Sequence, residues 1–226
     1  GSEFSSNTVS AYRNDLNQFV KFLQEVERLS TWQEVQPTHL TSYVLEMRNR
    51  DYASSTIARK TAAIKSFFSH VMKDGELRAD PSESLSSPRV EKYVPKSMSE
   101  HQIQLLLHAP SAERTTEALR DRAMLHVLYS SGMRVTELVS LDVDDVDLDA
   151  GTVCCTGKQN RRRHVDLSPE AIIALRQYLD TARPTIVRSD DETSLFLNHR
   201  GSRLTRQGFW LILKGYAGKV GINEIT

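Results

Sequence analysis

Cysteine is nearly missing from this 226-residue chain, and the two that occur, Cys154 and Cys155, are adjacent. Neighbouring cysteines make a poor disulfide and lack the ligand spacing of a zinc site. They are expected to be half-buried strand residues of a chain kept reduced, which points to a cytoplasmic location. No apolar run approaches the roughly 20 residues that cross a bilayer, and the opening residues show no charged-then-apolar leader. Net charge is also missing: 29 Lys and Arg balance 29 Asp and Glu. That balance excludes a surface that grips polyanions everywhere, though not a local basic face. The seven histidines are scattered, with no His-Glu-x-x-His pair, and no Gly-x-Ser-x-Gly elbow occurs. Gly151 and Gly157-Lys158 miss P-loop spacing by one residue, and Gln159 stands where a hydroxyl would hold magnesium. Asp145-Val146-Asp147-Leu148-Asp149 opens like a calcium loop, but Ala150 replaces its glycine and Thr156 its closing glutamate. Metal, nucleotide and serine-hydrolase chemistry are therefore disfavoured, and no cofactor or metal is expected.

What the chain does have is segregated charge. Residues 198–220 hold Arg200, Arg203, Arg206, Lys214 and Lys219 without a carboxylate, while residues 142–149 hold five aspartates without a base. Gly1-Ser2-Glu3-Phe4 reads as a cloning remnant and is set apart. Three amphipathic helices follow. The first spans residues 6–29, with Val9, Tyr12, Leu16, Phe19, Val20 and Leu23 at helical spacing. The second opens at Pro37 and carries Leu40, Tyr43, Val44 and Met47. The third is capped by Ser54 or Ser55, buries Ile57, Ala58, Ile64, Phe67, Phe68 and Val71, and ends near Lys73-Asp74-Gly75. Their polar faces carry Arg13, Lys21, Arg59, Lys60 and Lys65. Serines and three prolines between Asp80 and Lys96 read as an extended linker. The expected organisation is a helical domain over 5–86, a linker over 87–97 and a second domain over 98–226.

In the second domain Ser97 or Ser99 caps a helix, and residues 120–129 form the most apolar helix of the chain. Residues 141–148 approach a period-2 strand, Thr152 to Thr156 a second and Arg161 to Leu167 a third, giving a three-stranded antiparallel meander. Pro169 opens a helix with Ile172, Ile173, Leu175 and Leu179 inward. Leu195-Phe196-Leu197 is extended, and Thr205 caps a last helix, residues 206–220. The fold class is thus mainly α with a small antiparallel sheet.

Functional residues collect at three points. Gly132 can take a positive φ and break one helix from the next, so Arg134 sits at a corner with Glu137 three residues on and able to face it. By itself that pair reads better as a surface ion pair at a helix–helix turn, and only the basic hairpin and basic helix downstream turn the reading towards function. Lys158 lies in the turn of a hairpin that also carries Arg161, Arg162 and Arg163. A guanidinium can hold two phosphate oxygens, and a lysine on a turn can protonate a leaving oxygen. Arg206 and Gln207, at a helix N-terminus beside Arg203, could read base edges in a major groove.

With these residues in place the chain resembles the tyrosine recombinases of the phage-integrase family, nearest the bacterial Xer recombinases. Residues 8–16 resemble the early helix of that family's core-binding domain, and Val94-Pro95-Lys96-Ser97-Met98-Ser99 its linker. Residues 119–124 running to Gly132-Met133-Arg134-Val135-Thr136-Glu137-Leu138 resemble its first arginine box. Thr156-Gly157-Lys158-Gln159-Asn160-Arg161 through Val165-Asp166-Leu167 resembles its lysine hairpin. The resemblance implies an all-α, SAM-like core-binding domain and the N-terminal part of an α+β catalytic domain. It implies metal-free transesterification through a 3′-phosphotyrosyl intermediate. Arg134 would stabilise the phosphate, Lys158 would act as general acid and Glu137 would support Arg134. Arg13, Arg59, Lys60, Arg161, Arg162, Arg163, Arg203, Arg206 and Gln207 would meet DNA. The family's His-x-x-Arg box and nucleophilic tyrosine have no counterpart in these 226 residues, and Tyr178 and Tyr216 lie in no matching motif; Tyr216 is expected to pack in the last helix. The expectation is therefore a trimmed recombinase that binds double-stranded DNA without cleaving it and is a monomer off DNA. Its parent would form a tetramer on two paired sites, either alone or with a sister recombinase. The alternative is a non-catalytic, architectural DNA-binding protein of the same fold.

Overall fold

The structure, a computed structural model, describes residues 6–88, 97–157, 160–222 and 225. It divides into two compact units, Gly1–Val94 and Pro95–Thr226.

The first unit packs three helices, α1 (Ser6–Glu25), α2 (Pro37–Asn49) and α3 (Ser54–Lys73). Phe19, Phe22 and Leu23 of α1 meet Leu40, Tyr43, Val44 and Met47 of α2 and Ile57, Ile64 and Phe68 of α3. Phe19 and Phe68 are fully buried and meet edge to face at 6.2 Å. Each such side chain stabilises the unit by about 1.5–3 kcal/mol relative to exposure. Helix α1 stops at Glu25 and does not run to residue 29. Arg28 turns left-handed, with φ 59°, and the Leu29 N–H returns to the Leu23 carbonyl at 2.9 Å. A second correction concerns Lys60, which is not on the polar face of α3. It is 3% exposed and donates to Asp15 (3.0 Å) and Gln18 (2.8 Å).

The second unit begins with α4 (Glu100–His108), capped by the Ser99 hydroxyl, which accepts from the Gln102 N–H. Helix α5 (Thr116–Ser131) follows as the central rod, with Ala123, Met124 and Val127 at zero exposure. It ends where Gly132 takes φ 59° and donates to the Leu128 carbonyl. Only a residue tolerant of the left-handed region stops a helix this sharply, and α6 (Val135–Ser140) starts three residues later.

The meander is β1 (Val146–Asp147), β2 (Thr152–Thr156) and β3 (Arg162–Asp166), antiparallel in that order. Val153 faces Val165 and Cys155 faces Arg163. The first strand is much shorter than the expected 141–148. Residues Val143–Asp145 form a 3₁₀ turn in which the Asp145 carboxylate accepts the Asp142 N–H at 3.0 Å. Aspartate side chains that bond nearby backbone compete with a ladder. Both cysteines are buried rather than half-buried: Cys155 packs into the core, and Arg162 Nε lies 3.2 Å from Cys154 Sγ.

Helix α7 (Pro169–Gln177) packs Ala171, Ala174 and Leu175 inward and continues through a π turn, Tyr178–Ala182, into α8 (Arg183–Ile186). The inward set follows i, i+3, i+4, which leaves Ile173 on the outer face, 61% exposed, against expectation. Leu195, Phe196 and Leu197 are extended and wholly buried. Thr205 caps α9 (Arg206–Lys219) by accepting the Gly208 N–H at 3.0 Å.

Candidate functional site

Three chain segments converge in the second unit. The first is the start of α6. There the Arg134 N–H donates to Glu137 Oε2 at 2.8 Å and Arg134 Nη1 to Oε1 at 3.3 Å. The Arg134 side chain is 75% exposed, whereas that of Glu137 is 5% exposed.

The second segment is the β2–β3 hairpin. Arg163 donates from Nη1 to Glu137 Oε1 (3.0 Å) and from Nη2 to Oε2 (2.9 Å). This is a two-pronged guanidinium–carboxylate pair, the strongest geometry available to such groups. It holds the Glu137 carboxyl down to about 2, with Arg163 the largest cause and the Arg134 N–H assisting against the opposing effect of burial. Gly157 closes the hairpin with its N–H on the Arg161 carbonyl at 2.8 Å. A Cβ there would sit 3.1 Å from Arg163 Nη1 and 3.2 Å from Glu137 Oε1. Arg161 is exposed, and Arg162 pairs with Asp145 at 3.1 Å. Lys158, the expected general acid, lies outside the described residues.

The third segment is the start of α9. Arg206, Gln207, Phe209 and Trp210 line a hollow together with Val135, the residue after Arg134. Arg206 and Gln207 are exposed, and Lys214 Nζ stands 5.7 Å from the Trp210 ring. Arg203, expected at this face, sends Nη1 to the carbonyls of Val139 (3.1 Å) and Leu141 (3.0 Å) and Nη2 to Asp142. It caps the end of α6, where a cation meets the negative pole of the helix.

In the first unit Arg13 is exposed on α1 and lines a hollow with Thr8, Val9, Tyr12, Leu16, Asn17 and His70. Arg59 donates to the buried Asp15 and keeps 45% of its side chain exposed.

Two buried polar arrangements escaped the sequence reading. In one, Arg120 donates to its neighbour Asp121 at 2.8 Å and to the Leu197 carbonyl at 2.8 Å, and the Tyr216 hydroxyl donates to Asp121 at 3.1 Å. Burial raises the Asp121 carboxyl against the pull of Arg120, and burial and Asp121 together push the Tyr216 phenol up. Tyr216 packs in the last helix as expected. Tyr178, fully buried, bonds the Leu195 carbonyl at 3.0 Å, and burial pushes its phenol to about 12. The other arrangement is Glu137 with Arg163, residues 26 apart whose meeting no local pattern announces.

Among the described residues no group of three metal-ligating side chains comes together, and no helix is long and apolar enough to cross a membrane.

The comparisons with known proteins agree with this architecture. Residues 96–226 match the family described as "Phage integrase family", and residues 2–75 match "Phage integrase, N-terminal SAM-like domain". The chain belongs to the phage integrase family of tyrosine recombinases, enzymes of site-specific DNA recombination. It is 48% identical to tyrosine recombinase XerC of Herpetosiphon aurantiacus over 98% of its own length and 72% of that relative's. Its fold matches that of a XerH site-specific recombinase bound to a palindromic difH substrate, with a TM-score of 0.72 at 19% identity over 96% of this chain and 64% of that one. It also matches a lambda integrase tetramer bound to a Holliday junction, with a TM-score of 0.73 at 12% identity over 99% of this chain and 61% of that one.

Proposed function

We propose that this chain supplies the DNA grip and the first half of the phosphate-activating site of a recombinase that exchanges strands through a 3′-phosphotyrosyl link. In this reading Arg134 holds two non-bridging oxygens of the scissile phosphate. A bond from phosphorus to a tyrosine oxygen forms, the bond to the 5′ oxygen breaks, and Lys158 gives that oxygen its proton. Phosphoryl transfer needs charge stabilisation and positioning above all, so a metal is not called for. Glu137 keeps Arg134 in place. Arg161, Arg206 and Gln207 meet the duplex on the same side of the unit, while Arg13 and Arg59 contact backbone from the helical domain, residues 5–86, ahead of a linker over 87–97. In the parent protein a tetramer on two paired sites carries out the exchange; the related lambda integrase forms one on a Holliday junction.

The observation that carries this reading is the convergence of the α6 start, the hairpin and the α9 start, with an exposed guanidinium of Arg134 at their meeting point. The 226 residues contain neither a His-x-x-Arg box nor a tyrosine in a nucleophile motif, so in this reading the chain, a monomer off DNA, binds the duplex and leaves it uncut. Binding should fall steeply with salt, with log K against log[salt] sloping at about −0.9 per neutralised phosphate. In the full-length recombinase Arg134→Ala should cost roughly 2–4 kcal/mol of transition-state stabilisation, and Lys158→Ala should slow cleavage while sparing binding. A flat salt response, or a covalent protein–DNA adduct formed by the 226-residue chain, would overturn the proposal.

A further inference from the structure

The Glu137 carboxylate has about four sites at which it can accept hydrogen bonds. All four are filled: by the Arg134 N–H (2.8 Å), Arg134 Nη1 (3.3 Å), Arg163 Nη1 (3.0 Å) and Arg163 Nη2 (2.9 Å). The carboxylate is buried, so it must be matched by cations or remain costly. It accepts a strong, two-pronged contact from Arg163 and a single long one from the Arg134 side chain. One negative and two positive charges leave a surplus of one positive charge, and the side chain that carries it outward is Arg134, 75% exposed.

We infer that Arg163 is a positioning residue for Arg134: by occupying both oxygens of Glu137 it prevents that carboxylate from closing on Arg134 and neutralising the charge meant for the phosphate. Arg163 does not touch the phosphate in this scheme, which replaces the expectation of a backbone contact at this position. The inference rests on the proposed role of Arg134. It also explains why the hairpin backbone comes so close at Gly157. The absence of a side chain there leaves room for the fork beside the Gly157 backbone.

The consequence is a distinctive pattern of coupling. With Arg163→Met, Glu137 loses its partner and turns both oxygens onto Arg134, an arrangement its spacing of three residues allows. Strand cleavage should slow roughly ten- to a hundredfold, less than the roughly hundred- to thousandfold cost of removing a charge-stabilising donor outright, because Arg134 is partly neutralised and not deleted. Adding Glu137→Gln removes the competing charge, so the double variant should cleave faster than Arg163→Met alone. Arg163→Lys, which keeps a cation but not the fork, should fall between. A purely structural role for the pair predicts instead that the folded variants cleave alike at saturating DNA, because restoring packing frees no guanidinium.

The test is single-turnover cleavage of a nicked suicide substrate by the full-length recombinase carrying Arg134→Ala, Arg163→Met, Arg163→Lys, and Arg163→Met with Glu137→Gln. Thermal melts establish that each variant is folded, and the rates are compared at saturating DNA. Recovery of about tenfold or more in the double variant supports the inference. Arg163→Met at the parental rate, or a double variant no faster than the single, overturns it. If Arg134→Ala itself cleaves at the parental rate, the role of Arg134 fails instead. Should Arg163→Met fail to fold, Arg163→Lys with and without Glu137→Gln carries the same comparison.

Discussion

Asp15→Asn should loosen the helical unit far more than a one-atom change suggests. Asp15 is 1% exposed and Lys60 3% exposed, joined at 3.0 Å between α1 and α3. Asparagine keeps the shape and removes the charge, leaving a buried ammonium with only neutral partners: the asparagine amide oxygen, the Gln18 side-chain carbonyl at 2.8 Å and the face of the Tyr52 ring at 5.8 Å. Breaking one side of such a pair costs about 3–5 kcal/mol, and the surviving contacts place this case near 3. The exposed Arg59 adds little, since surface pairs are worth about 0–1 kcal/mol. At 1.4 kcal/mol per factor of ten, amide exchange in α1 and α3 should accelerate about a hundredfold. For a unit of this size the melting point should fall by roughly 12–24 °C. Hydrogen exchange read by mass spectrometry on peptides from α1 and α3 measures this unit without interference from the other. The paired replacement Asp15→Leu with Lys60→Met should exchange near the parental rate, because an apolar pair of similar volume needs no compensation. An asparagine variant that exchanges within about threefold of the parent would refute the reasoning.

Acid should weaken the second unit through Glu137. Its folded carboxyl titrates at about 2 against an ordinary 4.5, so the stability it contributes is complete above about pH 4.5 and is lost as pH falls towards 2. Allowing for the 43% exposure of Arg163, that loss is about 2 kcal/mol; urea unfolding at pH 5 and pH 2.5 should show it, and Glu137→Gln should flatten the difference. Gly157→Ala should push the fork apart by a few tenths of an ångström and cost about 1–3 kcal/mol, read as a lower melting point, whereas Gly215→Ala in α9, where a Cβ meets nothing, should stabilise by about 0.5–1 kcal/mol. Tyr216→Phe removes the hydroxyl that donates to buried Asp121 and should destabilise by about 1–3 kcal/mol in calorimetry; no change would mean that water replaces the hydroxyl.

The sequence by itself determined most of the scaffold. Apolar spacing in α1, α2 and α3 marked Phe19, Leu40 and Ile64 as core. Gly132 and the Thr205 cap marked a helix end and a helix start, and the bounds of β2 were legible residue for residue. These features are local, set by side-chain period and by which residues tolerate a turn. Membership of the phage integrase family was legible from short local motifs for the same reason. Local pattern also misled where it was weak. The aspartate-rich run promised a strand and gave a 3₁₀ turn, and Ile173 looked inward by composition while its helical phase points outward.

Only the tertiary structure decided how the cations are used. Lys60, Arg163 and Arg203 look alike in sequence to Arg134 and Arg206, because composition shows a positive charge and not its partner. Folding sends Lys60 to Asp15, Arg163 to Glu137 and Arg203 to the carbonyls ending α6, across separations of 45, 26 and 62 to 64 residues. A buried charge must find its counter-charge wherever the chain brings one, and that meeting depends on packing between distant segments. Arg134 stays exposed because its neighbour Glu137 is already held by another arginine, a fact that no window of the sequence contains.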